Sequence, residues 1–129
     1  MLDNEVPYSD AAHWGLWPSG RRGKLPEPPQ PPGARQLGPD GDEYALESRL
    51  LALDPLRQQE AREIRAYRWR DGSLVAEERH RLTCNLYFCA ELVMMIERAG
   101  FTNVDVRGEY NDLTPSADDS FLVYVATRE

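Results

Sequence analysis

Late in the chain the spacing of apolar residues changes from a helical to an extended period. Leu92, Ile96 and Ala99 recur at positions i, i+4 and i+7, which places them on one face of a helix. Gly100 follows directly, where a helix end favours a residue that adopts positive φ without strain. From Val104 onward apolar and polar residues alternate, as they do in a half-buried strand. The pattern therefore predicts a short helix, a glycine stop and a new strand, with the helix docked beside a sheet.

The middle of the chain, residues 42–87, carries the pattern of three antiparallel strands. The first strand ends at the turn signal Asp54-Pro55, and the second runs from Gln59 to Arg70. Asp71-Gly72 is a type I′ hairpin signal, so the third strand, Ser73 to Tyr87, should fold back on the second.

A two-residue turn would fix the register of this hairpin, with Trp69 opposite Leu74 and Glu63 opposite His80. Both faces would then mix apolar and charged side chains, so the sheet either shields a polar ligand or pairs with a second copy. A histidine beside a carboxylate can act as a general base near neutral pH. The alternative for Glu63 and His80 is a plain structural ion pair.

Aromatic residues are concentrated near the beginning of the chain. Tyr8, Trp14 and Trp17 lie within ten residues of one another, and Ser9 or Asp10 can cap a short helix there. Aromatic side chains are costly to leave in water, so we expect these to pack on something. They form either a local hydrophobic cluster that packs on the sheet or one wall of a substrate pocket.

Residues 24–41 contain six prolines and three glycines, which exclude both a helix and a central strand. We expect a linker, with polyproline II structure around residues 26–32.

Length and charge exclude several classes of protein. A chain of 129 residues is the size of one domain, and its net charge of −7 argues against a non-specific nucleic-acid binder, which needs a basic face. No apolar run has the length of a membrane span, and the amino terminus lacks the pattern of a signal peptide, so we expect a cytoplasmic protein. Cys84 and Cys89 should be reduced thiols. His13 and His80 show no zinc-like spacing, so no metal site is expected.

The carboxyl-terminal third resembles a known family. Its pattern of an aromatic pair, "EL", "ERAGF" and a valine-rich strand resembles the last helix and penultimate strand of class I S-adenosylmethionine-dependent methyltransferases. That pattern is carried here by Tyr87-Phe88, Glu91-Leu92, Glu97 to Phe101, and Val104. The segment from Phe121 to Ala126 resembles the family's final strand, which inserts antiparallel into an otherwise parallel sheet. Asp3-Asn4 resembles the end of the family's fifth strand.

The resemblance implies an α/β fold, which in this fragment takes an α+β form. A three-stranded antiparallel sheet would be followed by the helix and two terminal strands of a partial Rossmann-like methyltransferase sheet. The single domain 1–129 would then comprise an aromatic segment with a short helix (1–23), the linker (24–41), an antiparallel lid sheet (42–87) and the helix with two strands (88–129).

By the same resemblance the chain is the carboxyl-terminal, acceptor-side half of a methyltransferase. Gly33, Gly38 and Gly41 do not join a strand to a helix, as a nucleotide-binding glycine turn must, so the cofactor-binding half is absent. No cofactor is expected in this chain alone, no catalytic residue is assigned, and whether it is an enzyme stays open. The residues that we expect to face a small-molecule acceptor are Tyr8, Trp14, Trp17, Tyr67 and Tyr87.

Strands that lack their neighbours drive association, so we expect a homodimer or a partner chain that supplies the amino-terminal half. The resemblance implies S-adenosylmethionine as the cofactor of the complete fold. One alternative function is a non-catalytic, dimeric small-molecule-binding or assembly module. Another is a small enzyme of a different class that uses His80 with Glu63.

Overall fold

The computed structural model describes residues 1–128, which form seven strands and three helices. In chain order these are β1 Leu2–Glu5, α1 Ala11–Trp14, α2 Ser19–Arg22, β2 Gln36–Leu37, β3 Glu43–Asp54, β4 Gln59–Arg70, β5 Ser73–Asn85, α3 Cys89–Arg98, β6 Thr102–Gly108 and β7 Phe121–Thr127. The fold is mixed α+β, and both of its sheets are antiparallel. None of the three helices is long and apolar enough to cross a membrane.

The chain divides into two units. The terminal unit consists of Met1–Trp17 together with the chain from Leu86 onward, and the inserted unit is Pro18–Asn85. The terminal unit holds a three-stranded sheet in the order β1-β7-β6, and the inserted unit holds a four-stranded sheet in the order β2-β3-β4-β5.

The core of the terminal unit lies between α3 and its sheet. Val6, Leu92, Leu122 and Tyr124 are buried together, and the half-buried Ile96 packs against them. The helical period of the sequence therefore predicted the inward positions of Leu92 and Ile96 correctly, whereas Ala99 is exposed.

The carboxyl end of α3 has the predicted glycine cap. Gly100 has a φ of +88°, and its N–H donates to the carbonyl of Glu97 at 2.9 Å. The N–H of Phe101 donates to the carbonyl of Ile96 at 3.3 Å. These two bonds form a Schellman motif, which satisfies carbonyls that the helix end would otherwise leave free.

Gly100→Ala should lower the free energy of unfolding by about 1–2 kcal/mol, because a residue with a Cβ is strained at this positive φ. Gly20→Ala is the matched control: both glycines have open space where a Cβ would lie, but Gly20 is in α2 without a positive φ. Equal effects of the two substitutions in chemical denaturation would contradict this explanation.

The three long strands of the inserted unit lie close to where the sequence predicts them. The turn residues Asp71 and Gly72 have φ values of 50° and 77°, in agreement with the type I′ signal. The third strand, β5, ends at Asn85, two residues before the predicted end at Tyr87.

The predicted hairpin register is correct only beside the turn. Trp69 pairs with Leu74, but Arg68 pairs with Ala76, so Val75 is an extra residue on β5. This β-bulge shifts every later pair by one, and one residue is enough to exchange the two faces of a strand.

The proline-rich segment 24–41 lies along the edge of β3. The N–H of Glu27 donates to the carbonyl of Leu50 at 2.9 Å, and the N–H of Gly33 donates to that of Leu46 at 3.1 Å. The segment then forms β2, which pairs with the start of β3. The backbone of β3 is therefore hydrogen-bonded on both sides.

Candidate functional site

Four rings of the terminal unit pack together; we call Tyr8, Trp14, Trp17 and Phe88 the aromatic cluster. The ring centroids of Trp14 and Trp17 are 5.0 Å apart, and the Phe88 centroid lies 6.1 Å from that of Trp14 and 6.0 Å from that of Trp17. Tyr8 stacks on Phe88 with centroids 6.4 Å apart and an angle of 25° between the planes. These are the tilted, edge-on and offset arrangements that aromatic pairs prefer.

Two helix starts hold the aromatic cluster in place. Asp10 caps α1, as predicted, by accepting hydrogen bonds from the N–H groups of Ala12 at 2.8 Å and His13 at 3.3 Å. Phe88 precedes the first residue of α3, and its N–H donates to the Glu91 carboxylate at 3.4 Å. Tyr8 and Trp14 are exposed, whereas Trp17 and Phe88 are half-buried. The cluster therefore presents two aromatic rings to solvent and packs them on two half-buried ones.

The five predicted acceptor-facing residues do not all come together. Tyr8, Trp14 and Trp17 share the aromatic cluster, whereas the half-buried Tyr87 packs against the core of the terminal unit. Tyr67 is buried in the inserted unit, where it stacks on Trp69 with centroids 5.7 Å apart.

Sequence reasoning did not select Phe88 as a site residue. Its only signal was its place next to Tyr87 at the start of a predicted helix, and the contacts that bring it to Tyr8 and Trp17 join distant parts of the chain.

A buried carboxylate organises one face of the inserted sheet. Glu47 accepts hydrogen bonds from the backbone N–H of Gln30 at 2.6 Å and from the Tyr67 hydroxyl at 3.1 Å, and Arg65 lies 3.5 Å away. The bond from Gln30 is the main reason that the pKa of Glu47 is lowered. Glu47 therefore ties the proline-rich segment to the centre of the sheet.

A second buried carboxylate lies at the start of β3. Asp42 accepts hydrogen bonds from Arg70 Nε and Nη2, each at 3.0 Å, and from Arg68 Nε. The bonds from Arg70, followed by those from Arg68, lower the pKa of Asp42. These contacts join the residue before β3 to the end of β4, next to the turn that leads into β5. They explain why the charged carboxylate of Asp42 can be buried.

Stability of the inserted unit should fall as the pH drops below the ordinary carboxyl range. Because folding lowers the pKa values of Asp42 and Glu47, their stabilisation is complete above the unfolded pKa values and is lost as pH falls through the folded ones. Thermal melts between pH 7 and about pH 3 should therefore show that acid lowers the melting temperature of Glu47→Gln by less than it lowers that of the wild type. Glu97→Gln, at an exposed position on α3, is the control, and a wild-type pH dependence in Glu47→Gln would refute the assignment.

The predicted pairing of His80 with Glu63 is wrong. The β-bulge places Ile64 opposite His80, and Glu63 instead accepts hydrogen bonds from Arg49. His80 Nε2 lies 3.2 Å from the Glu78 carboxylate on the exposed strand β5. A general base oriented by Glu63 is therefore not formed.

A groove between α3 and the sheet of the terminal unit is almost wholly apolar. It has a volume of about 340 Å³ and is lined by Met1, Leu2, Leu92, Met95, Ile96, Ala99, Phe101, Tyr124 and Ala126. We call it the apolar groove. Met1, Leu2, Met95 and Phe101 are exposed along it. Leu2 belongs to β1, which among the described strands pairs only with β7, so its other edge is open within residues 1–128.

Within residues 1–128 no cluster of histidine, cysteine, aspartate and glutamate has the arrangement of a metal site. Cys84 and Cys89 are both free thiols. No known protein-family model matches the chain, and no curated protein has a significantly similar sequence.

Proposed function

We propose that this chain is the carboxyl-terminal, acceptor-side portion of a protein that resembles S-adenosylmethionine-dependent methyltransferases. The observation that carries the proposal is the strand order of the terminal unit. β1 and β6 both run antiparallel to the central β7, so they run parallel to each other. This is the arrangement expected where a final strand inserts antiparallel into an otherwise parallel, partial Rossmann-like sheet. α3 precedes β6, as the resemblance requires.

The methyl donor is held by another part of the functional protein. In this family a glycine-rich turn and an acidic residue hold S-adenosylmethionine at the carboxyl ends of parallel strands. Gly33, Gly38 and Gly41 lie in the inserted unit, and none of them opens a helix in the described chain. We therefore propose that activity requires the amino-terminal half of the fold, which would hold the donor.

The open edge of β1 and the apolar groove support such a partner. An unpaired strand edge can be extended by a further strand, and an apolar patch of this kind usually marks an interaction site. The missing half of the sheet would pair with β1 and cover Leu2, Met95 and Phe101, which are exposed in this chain.

The aromatic cluster is the surface that we assign to the methyl acceptor. It follows the carboxyl end of β1, beyond the buried Val6, and the start of α3 contributes Phe88. When bound, the cofactor supplies a methyl group for in-line attack by an acceptor nitrogen, oxygen or carbon. Such a transfer depends mainly on positioning, which flat aromatic faces can provide.

Calorimetry with S-adenosylmethionine tests the proposal. The chain alone should give no binding heat at ligand concentrations up to about 1 mM. An equimolar mixture with a cofactor-binding half, which carries the first four strands and the glycine-rich turn of a class I methyltransferase, should bind the cofactor more tightly than that half alone. Binding by this chain alone, or no gain on mixing, would contradict the proposal.

The second candidate is a non-catalytic, dimeric module that binds a small aromatic or apolar molecule. The exposed rings of Tyr8 and Trp14 favour it, because they offer a binding surface that needs no cofactor. Quenching of tryptophan fluorescence by aromatic ligands, with no methyl transfer when the cofactor-binding half is present, would favour this candidate. For either function we propose a cytoplasmic location, which agrees with the free thiols.

A further inference from the structure

We propose that β5 is the pairing edge of a two-fold symmetric homodimer, in which it lies antiparallel to the β5 of a second copy. The proposal rests on the inserted unit alone and does not depend on the methyltransferase assignment.

The first observation is that β5 is long, uncovered and unpaired on one side. Its 13 residues, Ser73–Asn85, pair only with β4 among the described strands, and the side chains from Ser73 to Thr83 are exposed on both faces. Strands commonly have about five or six residues, and natural edges are usually kept from pairing by short length, charged side chains, proline or bulges. β5 is long, contains no proline and has its bulge beside the turn at Val75, so only its charges, from Glu77 to Arg81, would oppose pairing, and they would do so unless the facing strand carried opposite charges.

The second observation is that the charges of β5 are complementary to themselves. The acidic pair Glu77-Glu78 is followed after one residue by His80 and Arg81. A two-fold axis through Arg79 reverses this order in the second copy. It places Glu77 opposite the partner's Arg81 and Glu78 opposite the partner's His80, and symmetry repeats each pair.

The same register matches the apolar residues that flank the charged centre. Ala76 would lie opposite the partner's Leu82, which is exposed in the single chain. The one like-charge pair is Arg79 with the partner's Arg79. Glu77 lies two residues away on the same face, where it contacts its own Arg79 at 3.4 Å and would be a diagonal neighbour of the partner's Arg79. Facing residues on neighbouring strands interact directly, and opposite charges there favour one register.

A second copy fits this edge better than other partners do. The centre of β5, from Glu77 to Arg81, carries both signs of charge, so it offers no single-sign surface to a nucleic acid or an acidic membrane. An isologous interface brings the same patch from both subunits, which is what a strand complementary to its own reverse requires.

Sedimentation velocity on two charge variants tests the proposal. The acidic variant carries Arg79→Glu with Arg81→Glu, and the basic variant carries Glu77→Lys. Each would face its own copy with like charges, so we expect a dimer in wild type and a dissociation constant weakened by about tenfold or more in each variant. An equimolar mixture of the two should form a heterodimer, because every reversed charge then faces its opposite.

Arg57→Glu with Arg98→Glu is the control for the acidic variant, since it changes the net charge equally at exposed positions outside β5. This control should remain dimeric. Any of three results would overturn the proposal. The wild-type chain could be monomeric at about 100 µM, the two variants could dimerise as the control does, or their mixture could stay monomeric.

A crosslinking experiment covers the case in which the basic variant does not fold, since Glu77 also pairs with Arg65 at 2.7 Å. With Cys84 and Cys89 replaced by serine, Arg79→Cys should form an intersubunit disulfide more readily than Glu97→Cys on the exposed side of α3. Equal crosslinking at the two positions would also overturn the proposal.

Discussion

Tyr124→Ala is expected to lower the free energy of unfolding of the terminal unit by about 3–5 kcal/mol, as truncation of a large buried aromatic residue does. Tyr124 is 1% exposed and lies at the centre of the core with Val6, Leu92 and Leu122. Its removal would leave a cavity beneath α3 that the rigid sheet cannot close. Equilibrium denaturation followed by near-ultraviolet circular dichroism measures the change.

Two controls separate the loss of the Tyr124 ring from other effects. Phe121→Ala removes an aromatic ring from the same strand at a position that is 40% exposed, so it should cost about 1 kcal/mol or less. Tyr124→Phe keeps the ring and removes only the hydroxyl, whose pKa is raised by burial, and should change stability by about 1 kcal/mol. An equal cost for Tyr124→Ala and Phe121→Ala would show that the core is not where we describe it.

Leu50→Ala is expected to destabilise the inserted unit by about 2–5 kcal/mol. The Leu50 side chain is 2% exposed, and its backbone N–H and carbonyl both bond to Glu27, at 2.7 Å and 2.9 Å. A cavity at this position would therefore weaken the attachment of the proline-rich segment as well as the sheet. Far-ultraviolet circular dichroism during urea unfolding gives the change in stability.

Leu46→Ala is the matched control, because it makes the same substitution on β3 at a side chain that is 65% exposed. It should change stability by about 0.5 kcal/mol or less. If Leu46→Ala were as costly as Leu50→Ala, burial would not explain the effect.

The features that the sequence predicts well are those determined by neighbouring residues. The buried face of α3, the cap at Gly100 and the turn at Asp71-Gly72 depend on spacing and on backbone preferences within a few positions. The helix α3 and its glycine cap are also features on which the family resemblance depends.

The features that could not be predicted depend on contacts between distant residues. No local signal identifies Val75 as a bulge, although it moves Glu63 away from His80 and removes a candidate catalytic pair. The attachment of residues 24–41 to β3 depends on hydrogen bonds between Glu27 and Leu50, which are 23 positions apart, and between Gln30 and Glu47, which are 17 positions apart. Composition alone indicates a linker there.

The candidate site was predictable only in part, for the same reason. The sequence brings Tyr8, Trp14 and Trp17 together because they are close in the chain. The sequence does not indicate that Phe88 contacts these residues. It also does not distinguish Tyr67 and Tyr87, which are packed within their units, from exposed rings.

Hydrogen–deuterium exchange on this chain, alone and with the cofactor-binding half of a class I methyltransferase, tests the central proposal most directly. If that half continues the sheet, the backbone amides of Leu2–Glu5 and the α3 residues along the apolar groove should exchange more slowly in the mixture. The amides of β6, at the opposite edge of the same sheet, should not change. Unchanged exchange at β1, or protection confined to β6, would contradict the proposal that this chain completes a methyltransferase sheet.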